Sequence, residues 1–295
     1  MHLDPDVTHI DIEARHILQP LSEALQKAGM TNATSDARCI LGLVLGRDDP
    51  VLPHEIIGIW RPDQHRQLEA YCQRRRAGEP ISRMRGWREF WSMRFDVSPA
   101  TLDPRPETEI LVEAATRWAR NYRPALRMLD LGTGTGCLLL ACLAELPHAT
   151  GVGIDISTEA VTVATANADR HGIGDRARFC QGDFAADLTG HGQFDLILSN
   201  PPYIPSADIG ALDADVRHFD PLAALDGGLD GLDCWRILCP QIALLLADGG
   251  AAFVEIGAGQ RRAVGRLGTT SKLQLAGSFA DLLGHERCLQ FEKEI

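Results

Sequence analysis

From Met128 onward, segments with the pattern of strands alternate with segments with the pattern of helices. Such alternation is typical of right-handed βαβ units, and these units build an open, mainly parallel, doubly wound sheet. In a sheet of this kind, ligands bind beyond the carboxyl ends of the strands, where the strand order reverses. The predicted strands are Met128–Leu131, Ala149–Ile154, Arg178–Gln181, Phe194–Ser199 and Gly250–Glu255, with an end hairpin from Lys272–Ala276 and Cys288–Glu292. The predicted helices are Gly136–Leu146, Thr158–Arg170, Cys234–Leu246 and 260–268.

The first part of the chain has a different character. Three short helices are predicted at about 12–28, 34–45 and 63–77, with glycines near their ends as stop signals. They form a bundle that is either a structural cap or a module that docks a macromolecular substrate. In Trp91–Val97 apolar residues alternate with polar ones, which predicts part of a β-hairpin. A helix is predicted from near Glu107 to about Arg120, after two prolines.

A glycine-rich turn follows the first predicted strand of the sheet and opens a helix. It runs Asp130-Leu131-Gly132-Thr133-Gly134-Thr135-Gly136. Position 137 is Cys, so the turn fails the dinucleotide pattern by one residue, and it lacks the lysine of a Walker phosphate loop. Asp130 would repel a phosphate but can attract an α-ammonium group, directly or through water. The turn therefore favours a ligand with an amino-acid tail.

Two further strand ends carry acidic residues. Asp155 ends the next strand, where a carboxylate can accept hydrogen bonds from both hydroxyls of a ribose. One strand later, Asp183 could accept a hydrogen bond from the exocyclic amine of adenine, and Phe184 could pack against the adenine ring. Each residue alone is a weak signal, but three successive strand ends together fit S-adenosylmethionine.

The tetrapeptide Asn200-Pro201-Pro202-Tyr203 directly follows the strand Phe194–Ser199. Its two prolines have no backbone N–H and stiffen the loop. The Asn200 amide oxygen and the Pro201 carbonyl can each accept one N–H of a substrate amino group. This grip would orient a planar nitrogen for in-line attack on a methyl group, with Tyr203 as an aromatic wall. The tetrapeptide therefore predicts a methyltransferase in which Asn200, Pro201 and Tyr203 are catalytic.

Composition narrows the choice of partner and compartment. The formal net charge of −11 disfavours DNA or bulk RNA as the direct partner. No apolar signal core or membrane-length apolar run is evident, and the eight cysteines form no C-x-x-C pair. We expect a cytoplasmic, monomeric protein with reduced thiols, no metal site and no membrane partner.

Several segments together match the pattern of one known family. They are Asn200–Tyr203, the stretch from Gly86 to Trp91, Val97–Glu109 with its Pro-Arg-Pro-Glu-Thr-Glu core, Asp220–Leu232 and Glu255–Gly257. In these segments the chain resembles the HemK/PrmC family of release-factor glutamine N5-methyltransferases. The resemblance covers about residues 15–290. It implies a seven-strand, Rossmann-like class I methyltransferase sheet with a small N-terminal helical bundle and a β-hairpin hinge. The corresponding domains are 1–81 for substrate docking, 82–106 for the hinge and 107–295 for methyl transfer.

The resemblance also implies a cofactor, a substrate and residue roles. The cofactor is S-adenosyl-L-methionine, which leaves as S-adenosyl-L-homocysteine, and the substrate is the glutamine of the Gly-Gly-Gln motif in peptide chain release factors. Gly132 to Gly136, Asp155, Phe184 and Asn200 would contact the cofactor, and Asn200 to Tyr203 would bind the glutamine amide. Arg105 and Glu107 would shape the wall of the substrate pocket.

Three alternatives stay open at this point. A ribosomal-protein glutamine methyltransferase would use the same chemistry on a different protein, although the hinge segment fits the release-factor group better. An adenine-N6 methyltransferase of nucleic acid is disfavoured by the acidic charge. A non-catalytic binding module would be expected to lose Asn200 or the glycine turn, and both are intact.

Overall fold

The computed structural model describes residues 12–122, 125–281 and 283–294. The chain divides into two compact units, one extending to Arg85 and one beginning at Gly86. The predicted hairpin therefore lies in the second unit, and the helical unit ends four residues after the predicted boundary at 81. No helix among the described residues is long and apolar enough to cross a membrane.

The first unit is a small helical bundle, close to the three helices predicted. Its helices are α1 (Arg15–Lys27), α2 (Ala33–Val44), α3 (Pro62–Arg76) and the short, unpredicted α4 (Ile81–Arg85). Its core is apolar, with Leu25, Ile40 and Leu41 completely buried. A half-buried ion pair joins α2 to α3, since the Arg75 guanidinium lies 2.7 Å from the Asp36 carboxylate.

The second unit begins with a two-stranded hairpin, β1 (Trp87–Phe90) and β2 (Met93–Asp96). The prediction of a strand from Trp91 was wrong at its start, because Trp91 and Ser92 form the two-residue turn with φ values of 53° and 55°. Contacts distant in sequence hold this turn. The Trp91 N–H donates to Glu109 over 2.7 Å, and the Trp91 indole donates to Glu145 over 3.1 Å.

The sheet of the second unit has seven strands, which confirms the predicted fold class. Its strands are β3 (Arg127–Leu131), β4 (Thr150–Asp155), β5 (Ala177–Gln181), β6 (Phe194–Ser199), β7 (Leu246–Glu255), β8 (Leu273–Ala280) and β9 (Glu286–Lys293). The helices are α5 (Glu109–Ala119), α6 (Cys137–Glu145), α7 (Thr158–Arg170), α8 (Ala214–Phe219), α9 (Asp233–Leu245) and α10 (Arg261–Thr270). Of these, α8 was not predicted, and a single 3₁₀ turn at Pro106–Thr108 precedes α5.

The strand order is β5-β4-β3-β6-β7-β9-β8. The first five strands in this order run parallel, whereas β9 runs antiparallel to both β7 and β8, as an end hairpin requires. The chain moves outward from β3 through β4 to β5 and then returns to β6 on the other side of β3. The strand order therefore reverses between β3 and β6, and this is where a doubly wound sheet binds its ligands.

Both faces of the sheet are covered by helices. Alternate residues of β7 point to opposite faces: Phe253 belongs to a cluster with residues of α5 and α6, and Val254 to a cluster with residues of α9 and α10. Every residue of β6 is buried, because a central parallel strand has no solvent-facing side. The polar groups of the site therefore lie at the carboxyl ends of the strands or in the segments that follow them.

Candidate active site

One cavity of about 510 Å³ lies at the carboxyl ends of β3, β4, β5 and β6. This volume is in the range of pockets that enclose small molecules. The cavity brings together most of the residues singled out in the sequence. These are Arg105, Gly132, Thr133, Gly134, Thr135, Asp155, Asp183, Phe184, Asn200 and Pro202. Five others do not line it: Glu107, Asp130, Gly136, Pro201 and Tyr203.

The glycine turn presents its backbone to the cavity. Gly134 has a φ of +55°, and a Cβ placed there would meet no protein atom within 4 Å. The position therefore needs glycine for its left-handed backbone, and the space above it is free for a ligand. The Gly134 N–H donates to the Asp155 carboxylate over 2.8 Å, so the turn is tied to the end of β4.

Gly136 has a structural role in the same turn. Its φ is +79°, and a Cβ there would lie 3.1 Å from the Phe179 ring and 3.2 Å from Ala164. This glycine allows the start of α6 to pack against β5 and α7, and it lies behind the cavity rather than in its wall. Nearby, buried Asn167 donates to the Thr135 carbonyl over 2.9 Å.

Asp130 is completely buried beneath the turn. Its Oδ2 accepts from the Thr133 hydroxyl at 2.7 Å, while its Oδ1 has no hydrogen-bond partner among the described residues. Burial raises the pKa of Asp130 to about 7, the nearby Asp155 charge adds to the rise, and the Thr133 hydroxyl opposes it.

The two other acidic residues keep acceptor capacity. The Asp155 oxygens accept the N–H groups of Gly134 and Ser157 at 2.8 and 2.9 Å, and a carboxylate has about four acceptor positions in all. Asp183 accepts the Ala185 N–H on one oxygen at 2.8 Å. Phe184 is partly buried against the core, with the cavity beside it. Each of these groups can bind part of an adenosyl ligand.

The tetrapeptide after β6 contributes Asn200 and Pro202 to the cavity wall. The Asn200 Nδ2 donates to the Thr108 hydroxyl over 3.2 Å. Among the described residues, nothing donates to Asn200 Oδ1 or to the Pro201 carbonyl. Both oxygens therefore have free acceptor capacity, although Pro201 itself is buried and does not line the cavity. Tyr203 lines a neighbouring cavity of about 210 Å³, which it shares with Asn200 and Arg105.

A buried carboxylate behind the tetrapeptide was not predicted from sequence. Glu255, the last residue of β7, is 3% exposed and accepts the Thr108 hydroxyl at 2.5 Å and the Tyr203 hydroxyl at 3.1 Å. Burial raises the pKa of Glu255, although its two hydroxyl donors and Arg287 counteract the rise. Burial and the Glu255 charge raise the pKa of Tyr203, which therefore stays a donor. The available sequence signal was an acid at the end of a buried strand.

The loop 225–231 holds the far end of the tetrapeptide. Ile204 and Asp226 form a parallel bridge, with the Ile204 N–H donating to the Leu225 carbonyl over 3.0 Å. Gln260 donates to the carbonyls of Tyr203 and Gly231 at 3.0 and 3.1 Å. These contacts come from segments distant in sequence, and the tetrapeptide is rigid because of them as well as because of its prolines.

Arg105 and Glu107, which are both predicted to shape the substrate pocket, occupy different environments in the structure. Arg105 lines both cavities and pairs with the buried Asp220 carboxylate, which also accepts the Asp103 N–H at 3.1 Å. Glu107 is exposed and lines neither cavity. The segment before α5 is thereby joined to the segment between α8 and α9.

Known proteins resemble both units. The PrmC N-terminal domain family matches residues 16–86, and a family described as a methyltransferase domain matches residues 123–250. The release factor glutamine methyltransferase of Rhodospirillum rubrum is 48% identical over 265 residues, which cover 90% of this chain and 80% of that protein. The protein of the same name from Bradyrhizobium diazoefficiens is 44% identical over 276 residues, or 92% of each chain.

Solved structures resemble the chain more distantly. A ribosomal protein L11 methylase from Lactobacillus delbrueckii subsp. bulgaricus has a TM-score of 0.49 and 21% identity, covering 68% of this chain and 84% of that one. A methyltransferase from Pyrococcus furiosus has a TM-score of 0.49 and 16% identity, covering 68% and 89%. The sequence relatives extend over both units at much higher identity. The chain therefore belongs to the family of release factor glutamine methyltransferases.

Proposed function

We propose that this enzyme transfers a methyl group from S-adenosylmethionine to the side-chain amide nitrogen of the glutamine in the Gly-Gly-Gln motif of peptide chain release factors. The observation that carries the proposal is a single cavity lined by both the glycine turn and the amide of Asn200. A methyl donor and an amide acceptor must meet in one place, and this cavity has groups suited to each. The names of the sequence relatives support the choice of substrate.

The residues on the glycine side fit the cofactor. Open space above Gly134 admits a ligand against the backbone, and Asp155 has acceptor positions left for two ribose hydroxyls. Asp130 is buried beneath the turn and does not line the cavity, so its charge would favour an α-ammonium group across Thr133 rather than by contact. Asp183 and Phe184 would take the adenine amine and ring. When bound, S-adenosylmethionine supplies an electrophilic methyl group on a positively charged sulfur.

Asn200 and Pro201 address the weakness of an amide as a nucleophile. The amide lone pair is delocalised, so the nitrogen attacks poorly while it stays planar. Asn200 Oδ1 and the Pro201 carbonyl would accept the two N–H groups, orient the nitrogen and stabilise the positive charge that builds on it. The methylated nitrogen then loses a proton to water, so no strong base is needed. Tyr203 acts as a wall and not as a base, because its pKa is raised.

The partner and the helical unit belong to the same proposal. A protein substrate is favoured over nucleic acid by the net charge of −11. We propose that the helical unit docks the release factor, with the hinge at 82–106 between it and the methyl-transfer domain from 107 onward. The monomeric state and the cytoplasmic location stay predictions of the sequence.

Methyl transfer with radiolabelled S-adenosylmethionine tests the substrate. The enzyme should label a purified release factor, and Gln→Ala in the Gly-Gly-Gln motif of that factor should abolish the label. Ribosomal proteins and RNA are offered in parallel as competing substrates. Labelling of RNA, or of a release factor regardless of the glutamine substitution, would contradict the assignment.

A further inference from the structure

The side-chain amide of Asn200 has two ends, and only one of them can serve the proposed reaction. An oxygen facing the cavity accepts a substrate N–H, whereas an NH₂ group facing the cavity would meet another donor. A primary amide is nearly symmetric in shape, so the width of the pocket cannot select between the two orientations. A hydrogen-bond partner with a defined direction must do so.

Thr108 is that partner. Its hydroxyl is 3.2 Å from Asn200 Nδ2 and 2.5 Å from Glu255 Oε2, and Thr108 is 3% exposed. A hydroxyl has one proton to donate and lone pairs to accept with. That proton goes to Glu255, because the Thr108 hydroxyl donates to the carboxylate oxygen Oε2. The lone pairs of Thr108 then face Asn200 and admit its NH₂ group but not its oxygen.

The second oxygen of Glu255 also accepts a hydrogen bond from a hydroxyl group. Glu255 Oε1 lies 3.1 Å from the Tyr203 hydroxyl, so one buried carboxylate orients side chains at both ends of the tetrapeptide. Glu255 does not line the cavity that contains the glycine turn, so it is not placed to take a proton from the substrate. Its contacts point instead to orientation.

We propose that Glu255, through the Thr108 hydroxyl, fixes the orientation of the Asn200 amide so that its oxygen faces the substrate. Thr108 and Glu255 are thus positioning residues, and the inference rests on the proposed function of Asn200. Glu255 selects one of two amide orientations, and the loss of the selection lowers turnover more than it weakens cofactor binding.

Kinetics with matched variants test the proposal. Thr108→Val removes the hydroxyl and nearly keeps the shape, whereas Thr108→Ser keeps the hydroxyl. Thr108→Val should lower kcat by about tenfold, the scale of one hydrogen bond, with the Kd for S-adenosylmethionine changed less than about twofold. Thr108→Ser should recover most of the lost turnover. Equal losses in the Val and Ser variants would overturn the role of the hydroxyl.

A double-substitution cycle tests whether Thr108 acts through Asn200. In the Asn200→Ala background, Thr108→Val should cause little further loss, because the amide it orients is gone. The same tenfold loss in both backgrounds would mean that Thr108 acts on the substrate directly, and the proposal would be wrong. Thr108→Ala is measured in parallel, with thermal unfolding, so that a folding defect of one variant is recognised.

Nuclear magnetic resonance tests the orientation without any substrate. The chain has only four asparagines, so a sample labelled with ¹⁵N-asparagine gives four side-chain amide pairs, and Asn200→Ala assigns the relevant pair. Thr108→Val and Glu255→Gln should both shift that pair, whereas Thr108→Ser should shift it little. Unchanged Asn200 resonances in Thr108→Val would refute the inference. Absence of release-factor labelling by the wild-type enzyme would refute the proposed function alone.

Discussion

The two sides of the cavity are built by different means. On the glycine side, the turn between β3 and α6 presents its backbone to the cavity and donates a hydrogen bond to the carboxylate that ends the neighbouring strand. On the tetrapeptide side, Asn200 and Tyr203 are held by hydrogen bonds to residues far along the chain. Thr108 and Asn200 are 92 residues apart, and Thr108 and Glu255 are 147 apart.

We expect the two sides to serve different tasks, with cofactor binding on the glycine side and methyl transfer on the tetrapeptide side. A cofactor that binds before the reaction needs space and a few acceptors, which a short turn can supply. A reacting amide needs its two N–H groups held in fixed directions, which requires rigid acceptors. Changes on the glycine side should therefore alter cofactor affinity, and changes on the tetrapeptide side should alter turnover.

Replacement of Asn200 should have the largest effect. Asn200→Ala removes one acceptor of the substrate amide, and we expect kcat to fall by about 10²-fold or more, the scale for one transition-state contact. The Kd for S-adenosylmethionine, measured by calorimetry, should change much less. Asn121→Ala is a matched control, because Asn121 is exposed and its side chain, among the described residues, bonds the Arg117 carbonyl of the preceding helix α5. Retained turnover in Asn200→Ala would remove the distinction between the two sides.

Replacement of Gly134 should have a smaller effect, and it should weaken cofactor binding rather than lower turnover. Gly134→Ala places a Cβ in the ligand space and strains a backbone with φ of +55°. We expect the Kd for S-adenosylmethionine to rise about tenfold or more, with kcat at saturation nearly kept. Gly190→Ala is the control, since Gly190 is exposed and has open space without a positive φ. A loss of kcat without a change in the Kd would contradict the assignment of cofactor binding to the glycine side.

A pH dependence of cofactor affinity should be the smallest effect. Burial raises the pKa of Asp130 to about 7, and a cationic group of the ligand favours the ionised form. Affinity should therefore weaken as the pH falls through 7, several-fold and at most about tenfold between pH 7.5 and 6. Asp130→Asn should lose this dependence. Calorimetry measures the affinity at both pH values, and tighter binding at pH 6 than at pH 7.5 would contradict the prediction.

Most of the fold could be predicted from the sequence. Helix α7 and strand β6 agree with prediction at both ends, and the other predicted strands of the sheet lie within four residues of their observed ends. The hairpin turn was misplaced because Trp91 and Ser92 are unusual residues for a left-handed turn, and Glu109 and Glu145 stabilise it from other segments. The residue pattern around the turn does not reveal partners that lie so far away in the sequence.

The site shows the same limit. The glycine turn, Asp155 and Asn200 lie beside one another because strand ends of a parallel sheet meet at one edge, and this rule applies to sequence directly. Gly136 and Asp130 do not line the cavity, because Gly136 packs against Phe179 and Asp130 is buried under Thr133, and their roles toward the ligand stay predictions. Thr108 and Glu255 lie in segments that the sequence singles out, but their pairing could not be predicted because it arises only from mutual contact.

The antiparallel end of the sheet has a consequence for the reacting loop. Strand β9 pairs with β7, and Cys288 lies opposite Glu255, so β7 is an interior strand rather than an edge. Without that neighbour, water would reach the carboxylate and compete for the two hydroxyls it holds. The last two strands thus keep the environment of Glu255 dry, and electrostatic contacts are stronger where water is excluded. Strands β8 and β9 thereby help to set the strength of the hydrogen bonds that hold the tetrapeptide, although neither strand lines the cavity.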